Sequence, residues 1–251
     1  MIWHLIDSND DMNGYENMAI DLSLIDLART TPILRFYGWN PPALSLGKFQ
    51  SVDGIDKDYL KKMGFDLVRR PSGGRAVLHY DELTYSLLMP ESSSSKSVLK
   101  TYLTISKALI EGFSQFGLKC DISRDRRTTY TRFEACFATP SIYEVTVDGK
   151  KFVGSAQVRR NGIVLQHGSI PLRSHVEEYA NCFKASQIEK IDLLERLKAT
   201  MTSLEEHMTI NVDELKRSLL KGFANVFDVE FEPFIPDLNT EKYFKEVKVW
   251  D

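Results

Sequence analysis

Arg69-Arg70-Pro71-Ser72-Gly73-Gly74-Arg75-Ala76-Val77-Leu78-His79 lies between two strand-like runs, 65–69 and 84–89. Two adjacent glycines let backbone N–H groups approach a ligand closely, and the flanking arginines favour an anionic group. The proline and the glycine pair interrupt the apolar pattern, so the stretch reads as a loop between strands. It is not a nucleotide-binding loop of the usual kinds, because the G-K-[ST] ending and G-x-G-x-x-G are both absent. On spacing alone it is equally a tight turn with surface arginines.

Upstream of this loop, residues 15–28 keep helical apolar spacing and Thr30-Thr31-Pro32 ends them. Strands follow at 33–37 and 43–49, separated by Trp39-Asn40-Pro41-Pro42, and 55–63 reads as a short helix closed by Gly64. Downstream, Glu91-Ser92-Ser93-Ser94-Ser95 is a short solvated loop, and Ser97 is the expected N-cap of the clearest helix. Val98, Tyr102, Ile105, Leu109, Phe113 and Phe116 form its stripe, and Gly117 stops it. Two hairpins come next: 142–147 turns at Asp148-Gly149 into 151–158, which turns at Asn161-Gly162 into 163–165. Gln166-His167-Gly168-Ser169 then reads as a polar break. The last third is helical, at 188–201, 212–227 (capped by Asn211) and 239–247. This order predicts one α/β (α+β) domain over 1–251, a mixed β-sheet flanked by helices.

Composition bounds the function classes. The chain has 251 residues and a formal charge of −3, with 43% hydrophobic and 27% charged residues. That profile excludes disordered, collagenous and coiled-coil classes. Three cysteines with no C-x-x-C pair exclude a disulfide scaffold and argue against structural zinc. Met1-Ile2-Trp3-His4-Leu5-Ile6-Asp7 lacks a basic n-region, and no run approaches the roughly 18 apolar residues of a membrane span, so a cytoplasmic location is expected. A pI of 6.0 without a long basic stripe argues against nucleic acid.

Three further segments could carry chemistry. Cys136, in Ala135-Cys136-Phe137-Ala138-Thr139-Pro140-Ser141, stands at a hairpin entrance, whereas Cys120 and Cys182 read as core thiols. In Lys150-Lys151-Phe152-Val153-Gly154-Ser155-Ala156, alternation places Lys151, Val153 and Ser155 on one face. Small residues in mid-strand mark a close approach to the backbone, and Lys151 would point into the site they line. His167 is a lone histidine, which is more often structural than a base.

Taken in order, the Arg69–Val77 loop and the Lys150–Ala156 strand resemble the biotin/lipoyl protein ligase superfamily. The resemblance runs from about residue 29 into the last third, with a core of about 29–220. It implies that superfamily's catalytic-domain fold. Arg75, and Cys136-Phe137 followed by Pro140 and Tyr143-Glu144, resemble the cysteine-dependent octanoyltransferases of Gram-positive type. The ATP-dependent ligases carry a third glycine and an Asn-Asp pair at these places, and usually an accessory domain of about a hundred residues that is not expected here.

The resemblance implies transfer of octanoyl from acyl carrier protein to a lysine of the glycine-cleavage H protein or another lipoyl domain. The acyl group would pass through a thioester on Cys136, with Lys151 lowering the thiol pKa or acting as general base. Arg70, Ser72, Gly73, Gly74, Arg75, Ala76, Val77 and His79 would bind the acyl substrate with Gly154, Ser155 and Ala156 and with Gln166, His167 and Gly168. Backbone N–H groups near Ala156 or Gly168 are candidate oxyanion donors. No cofactor, metal or ATP is expected, and a monomer is. Both protein partners would be small and acidic, and Arg124 to Arg132, with four arginines and one aspartate, is a candidate docking stretch. The alternatives are an octanoyl-H-protein:lipoyl-domain amidotransferase, an ATP-dependent lipoate-protein ligase and a non-catalytic acyl-sensing module.

Overall fold

In the computed structural model, which describes residues 1–7, 12–123, 135 and 143–249, the chain opens with β1 (Ile2–Asp7) and α1 (Gly14–Leu27). It continues through β2 (Ile33–Tyr37), β3 (Ala43–Leu46), α2 (Lys57–Met63), β4 (Asp66–Arg69), β5 (Val77–His79) and β6 (Glu82–Pro90). Next come α3 (Val98–Phe116), β7 (Asp121–Ile122), β8 (Val145–Val147), β9 (Lys150–Arg160) and β10 (Ile163–Pro171). The last elements are α4 (Val176–Asn181), α5 (Gln187–Thr200), α6 (Val212–Phe227), β11 (Glu230–Pro233) and α7 (Phe244–Val247).

The strands form an eight-stranded mixed sheet, in the order β11-β1-β2-β6-β10-β9-β8-β7, and a small sheet, β4-β3-β5. Helices α3 and α6 cover one face of the large sheet, where Ile105, Leu109, Phe113, Leu219 and Phe223 meet Tyr85, Leu87, Phe152 and Val164. The two helices cross at touching distance: a Cβ on Gly222 would lie 2.3 Å from the Gly112 nitrogen. Helix α1 covers the opposite face, and Met18, Leu22 and Ile25 pack there with Ile33, Leu88 and Leu165. The small sheet forms its own core with α4 and α5. The expected mixed sheet flanked by helices is what the chain builds.

Local signals placed most elements. Ser97 accepts from the Lys100 N–H and Gly117 closes α3 at φ 93°, as the caps predict. Asp56 and Gly64 bound α2, and Asn211 caps α6. Three expectations fail. Residues 166–169 are no break: β10 runs on to Pro171 because β6 and β9 pair with it on both sides. Its polar side chains are buried between layers. The 43–49 strand stops at Leu46, where the chain turns. The 239–247 helix is only a 3-10 turn, Glu241–Tyr243, followed by α7. Strands β1 and β11, which pair in parallel, carry no turn or alternation signal that marks them.

Candidate active site

A narrow slot of about 60 Å³ opens where the large sheet meets the small one. Arg70, Gly74, Val77 and His79 from the glycine loop and β5 line it, facing Gly154, Ser155 and Ala156 of β9 and His167 and Gly168 of β10. Nine of the expected residues therefore meet around one cavity. The sequence reading missed Met18, Tyr37, Trp39, Ser45, Thr84 and Ser169, which complete the wall. Gly168 is required by register: its partners on the flanking strands are Tyr85 and Ser155, whose hydroxyls join at 2.8 Å. A Cβ on Gly168 would fall 2.6 Å from the Tyr85 ring. As a residue of a strand paired on both edges, Gly168 has its N–H in the ladder, which removes it as an oxyanion donor. Gln166 stands one row away, donating to the Tyr85 hydroxyl at 3.1 Å and accepting from Gln157 at 2.9 Å.

Arg70 organises the loop. Its buried guanidinium donates to the carbonyls of Ser45 at 2.9 Å, Gly73 at 2.8 Å and Arg75 at 2.6 Å. The Gly73 and Arg75 carbonyls thus serve the loop's own shape. Ala76 is buried, its carbonyl accepts from the Tyr179 hydroxyl, and its backbone bridges to Ala135.

Two Ser–His–carboxylate relays flank the slot. In one, Ser72 Oγ lies 2.6 Å from His167 Nε2, and His167 Nδ1 lies 3.3 Å from Asp21 Oδ2. Asp21 also accepts from Arg35 at 2.9 Å, Tyr37 at 3.0 Å and Ser86 at 3.0 Å. Burial works to raise the Asp21 carboxyl, but the His167 hydrogen bond and the Arg35 charge outweigh it and hold it below its ordinary value. Burial pushes His167 down against the pull of Asp21, which keeps the ring neutral, with Nδ1–H donating to Asp21 and Nε2 accepting from Ser72. Burial and the Asp21 charge push the Tyr37 phenol well up.

In the other relay, Ser45 Oγ lies 2.8 Å from His79 Nε2, and His79 Nδ1 lies 2.7 Å from Glu82. Thr84 and Ser169 donate their hydroxyls to the same carboxylate. Trp39 stacks on His79 with ring centroids 4.0 Å apart and donates to Thr84 at 2.7 Å.

Lys151 is not part of the slot wall. It is buried at the start of β9, where its ammonium donates to the carboxylate of Glu144, also buried. Cys136 and the Arg124 to Arg132 stretch lie outside the described residues. Cys120 and Cys182 are core thiols, as expected: burial pushes Cys120 up to about 12 and Cys182 higher still. Among the described residues no group of His, Cys, Asp and Glu could hold a metal ion. No helix of the described chain is long and apolar enough to cross a membrane.

The lipoyl protein ligase A/B catalytic-domain model matches residues 13–224. The chain belongs to the lipoyl protein ligase A/B family. Within that family it is similar to octanoyltransferase LipM of Exiguobacterium sp., at 36% identity over 99% of this chain and 98% of that one. It is likewise similar to octanoyltransferase LipM of Symbiobacterium thermophilum, at 39% identity over 92% of this chain and 88% of the relative. Among solved structures, the bi-partite lipoate protein ligase of Thermoplasma acidophilum superposes with a TM-score of 0.82 at 21% identity, over 98% of this chain and 91% of that one. This last likeness shows the family fold.

Proposed function

We propose that octanoyl passes through a thioester on Cys136, taken from acyl carrier protein and delivered to a lysine of the glycine-cleavage H protein. The chain is an octanoyltransferase of protein lipoylation, as its near full-length likeness to such enzymes supports. The observation that carries the Cys136 step is the backbone bridge between Ala76 and Ala135. Ala135 is one peptide bond before Cys136, and Ala76 adjoins Val77 in the slot wall.

The Cys136 thiolate attacks the octanoyl thioester carbonyl and expels the carrier thiolate, which takes up a proton. The acceptor amine then attacks the enzyme thioester, the carbon–sulfur bond breaks as the amide forms, and the proton the amine gives up goes to the departing Cys136 thiolate. The incoming thioester is already activated, so the reaction uses no ATP. Lys151 serves Cys136 as a cation or proton carrier, with Glu144 holding its ammonium. The slot between the Gly73-Gly74 loop and the Gly154-Ser155-Ala156 strand takes the acyl tail, whose burial contributes about 0.8 kcal/mol per methylene.

The test is intact mass after incubation with octanoyl carrier protein. One hydroxylamine-labile octanoyl group is expected on the protein and none on Cys136→Ser. Modification of the H protein only when ATP and free octanoate are supplied, with no adduct, overturns the reading. Acylation from octanoyl-H-protein but not from the carrier would instead make it the amidotransferase.

A further inference from the structure

Beyond Leu46 the chain turns at Gly47-Lys48-Phe49-Gln50 on the rim of the slot. The turn is clasped to the glycine loop: the Lys48 N–H donates to the Ser72 carbonyl at 2.9 Å, and a Cβ on Gly47 would lie 1.9 Å from the Gly74 oxygen. It is also held by Arg69, whose Nη1 donates to the carbonyls of Gly47 at 2.8 Å, Lys48 at 3.2 Å and Gln50 at 2.8 Å. The Gln50 N–H closes back on Gly47 at 3.0 Å. A turn tied at so many points keeps one shape.

At its tip Phe49 is 89% exposed, with the Lys48 ammonium 5.7 Å from the ring centroid. Ile188 and Ile235 are comparably exposed, but they belong to α5 and the C-terminal segment rather than to the loops around the slot. An aromatic side chain on a rigid loop loses little freedom when it is covered, which is the usual make-up of a binding hot spot. The charge beside it is positive, although the chain as a whole is −3. The Arg69 guanidinium gives its Nη1 hydrogen bonds to neutral carbonyls and keeps its charge, so Lys48 and Arg69 stand against Asp53, the only acid between residues 47 and 54.

We propose that the Lys48–Phe49 tip is the docking point for the acidic carrier that delivers the acyl chain. Phe49 packs against apolar surface of the carrier, and Lys48 meets its carboxylates, with the Arg69 charge behind the turn adding to the attraction. The donor is the partner argued for, because the acyl chain it carries has to reach the slot, and this turn is clasped to Gly74 of the slot wall. The proposal rests on the acyl-transfer reading.

The experiment compares two donors, octanoyl carrier protein and octanoyl-N-acetylcysteamine, in the rate of enzyme thioester formation. Phe49→Ala and Lys48→Glu should each lower kcat/KM with the carrier at least about tenfold and leave the small thioester within about twofold. Lys48→Glu should also flatten the salt dependence of the carrier reaction. Equal losses with both donors, or no loss with the carrier, overturn the proposal. So does a loss confined to transfer from preformed enzyme thioester to the acceptor, which would place the acceptor there. If the wild-type protein forms no thioester from either donor, the acyl-transfer reading itself fails, and the docking proposal with it.

Discussion

The relay of Asp21, His167 and Ser72 and that of Glu82, His79 and Ser45 reach the same slot, yet their carboxylates are satisfied in different ways. Asp21 faces a full positive charge, with the Arg35 guanidinium 2.9 Å away in a fully buried setting. Arg35 is fixed in turn by Asn17, which accepts at 2.6 Å, and by the Tyr37 ring 3.7 Å below its guanidinium carbon. Glu82 instead collects the His79 imidazole and two hydroxyls, and the hydroxyls can rotate or be replaced. One relay is therefore a rigid charge pair that pins α1 to the large sheet. The other is an adaptable hydrogen-bond cluster where the two sheets meet.

The sharpest way to break this contrast is Arg35→Met. Removing one partner of a buried ion pair leaves the other charge uncompensated, so a loss of about 3–5 kcal/mol is expected from urea denaturation. A loss below about 1 kcal/mol would mean that the Asp21 charge is not what holds the layer.

Glu82→Gln should cost less, about 1–2 kcal/mol by the same measurement, because hydroxyls can reorient around an amide. A cost equal to that of Arg35→Met would erase the distinction between the relays.

The smallest effect is a pH dependence. His167 is held below its ordinary pKa when folded, so the unfolded chain binds that proton more readily and stability falls as pH drops through about 6.5. Between pH 7 and 5.5 this amounts to at most about 1 kcal/mol, which His167→Gln should remove. Asp21 acts in a lower window. Its depressed carboxyl contributes stability that is complete above about 4 and is lost as pH falls through its folded value. An unchanged slope between pH 7 and 5.5 in His167→Gln would show that the imidazole is not held neutral.

How much of this was legible depends on whether the signal is local. Ser97 and Gly117 bound α3 because a cap concerns the few residues beside it. The glycine loop and the Gly154–Ala156 strand were readable as a pair only through their order and family resemblance. The relays were not, since Asp21 and His167 are 146 residues apart and nothing in either neighbourhood names the other. Helix α1 shows a related blindness: Met18, Leu22 and Ile25 gave an amphipathic stripe, but Asn17, Asp21 and Ser23 on other faces are buried too. Helical periodicity finds a buried apolar face and cannot see a buried polar one. The same limit made 166–169 look like a break, when a strand paired on both sides can bury polar groups that meet partners across the slot.

Arg70 ties β3 to both ends of the glycine turn through one planar group. A lysine there would carry the same charge, but its single ammonium could not span three carbonyls set in a fork. The turn would keep its glycines and lose its template, and the Gly74 side of the slot wall would lose its definition although no glycine had been changed.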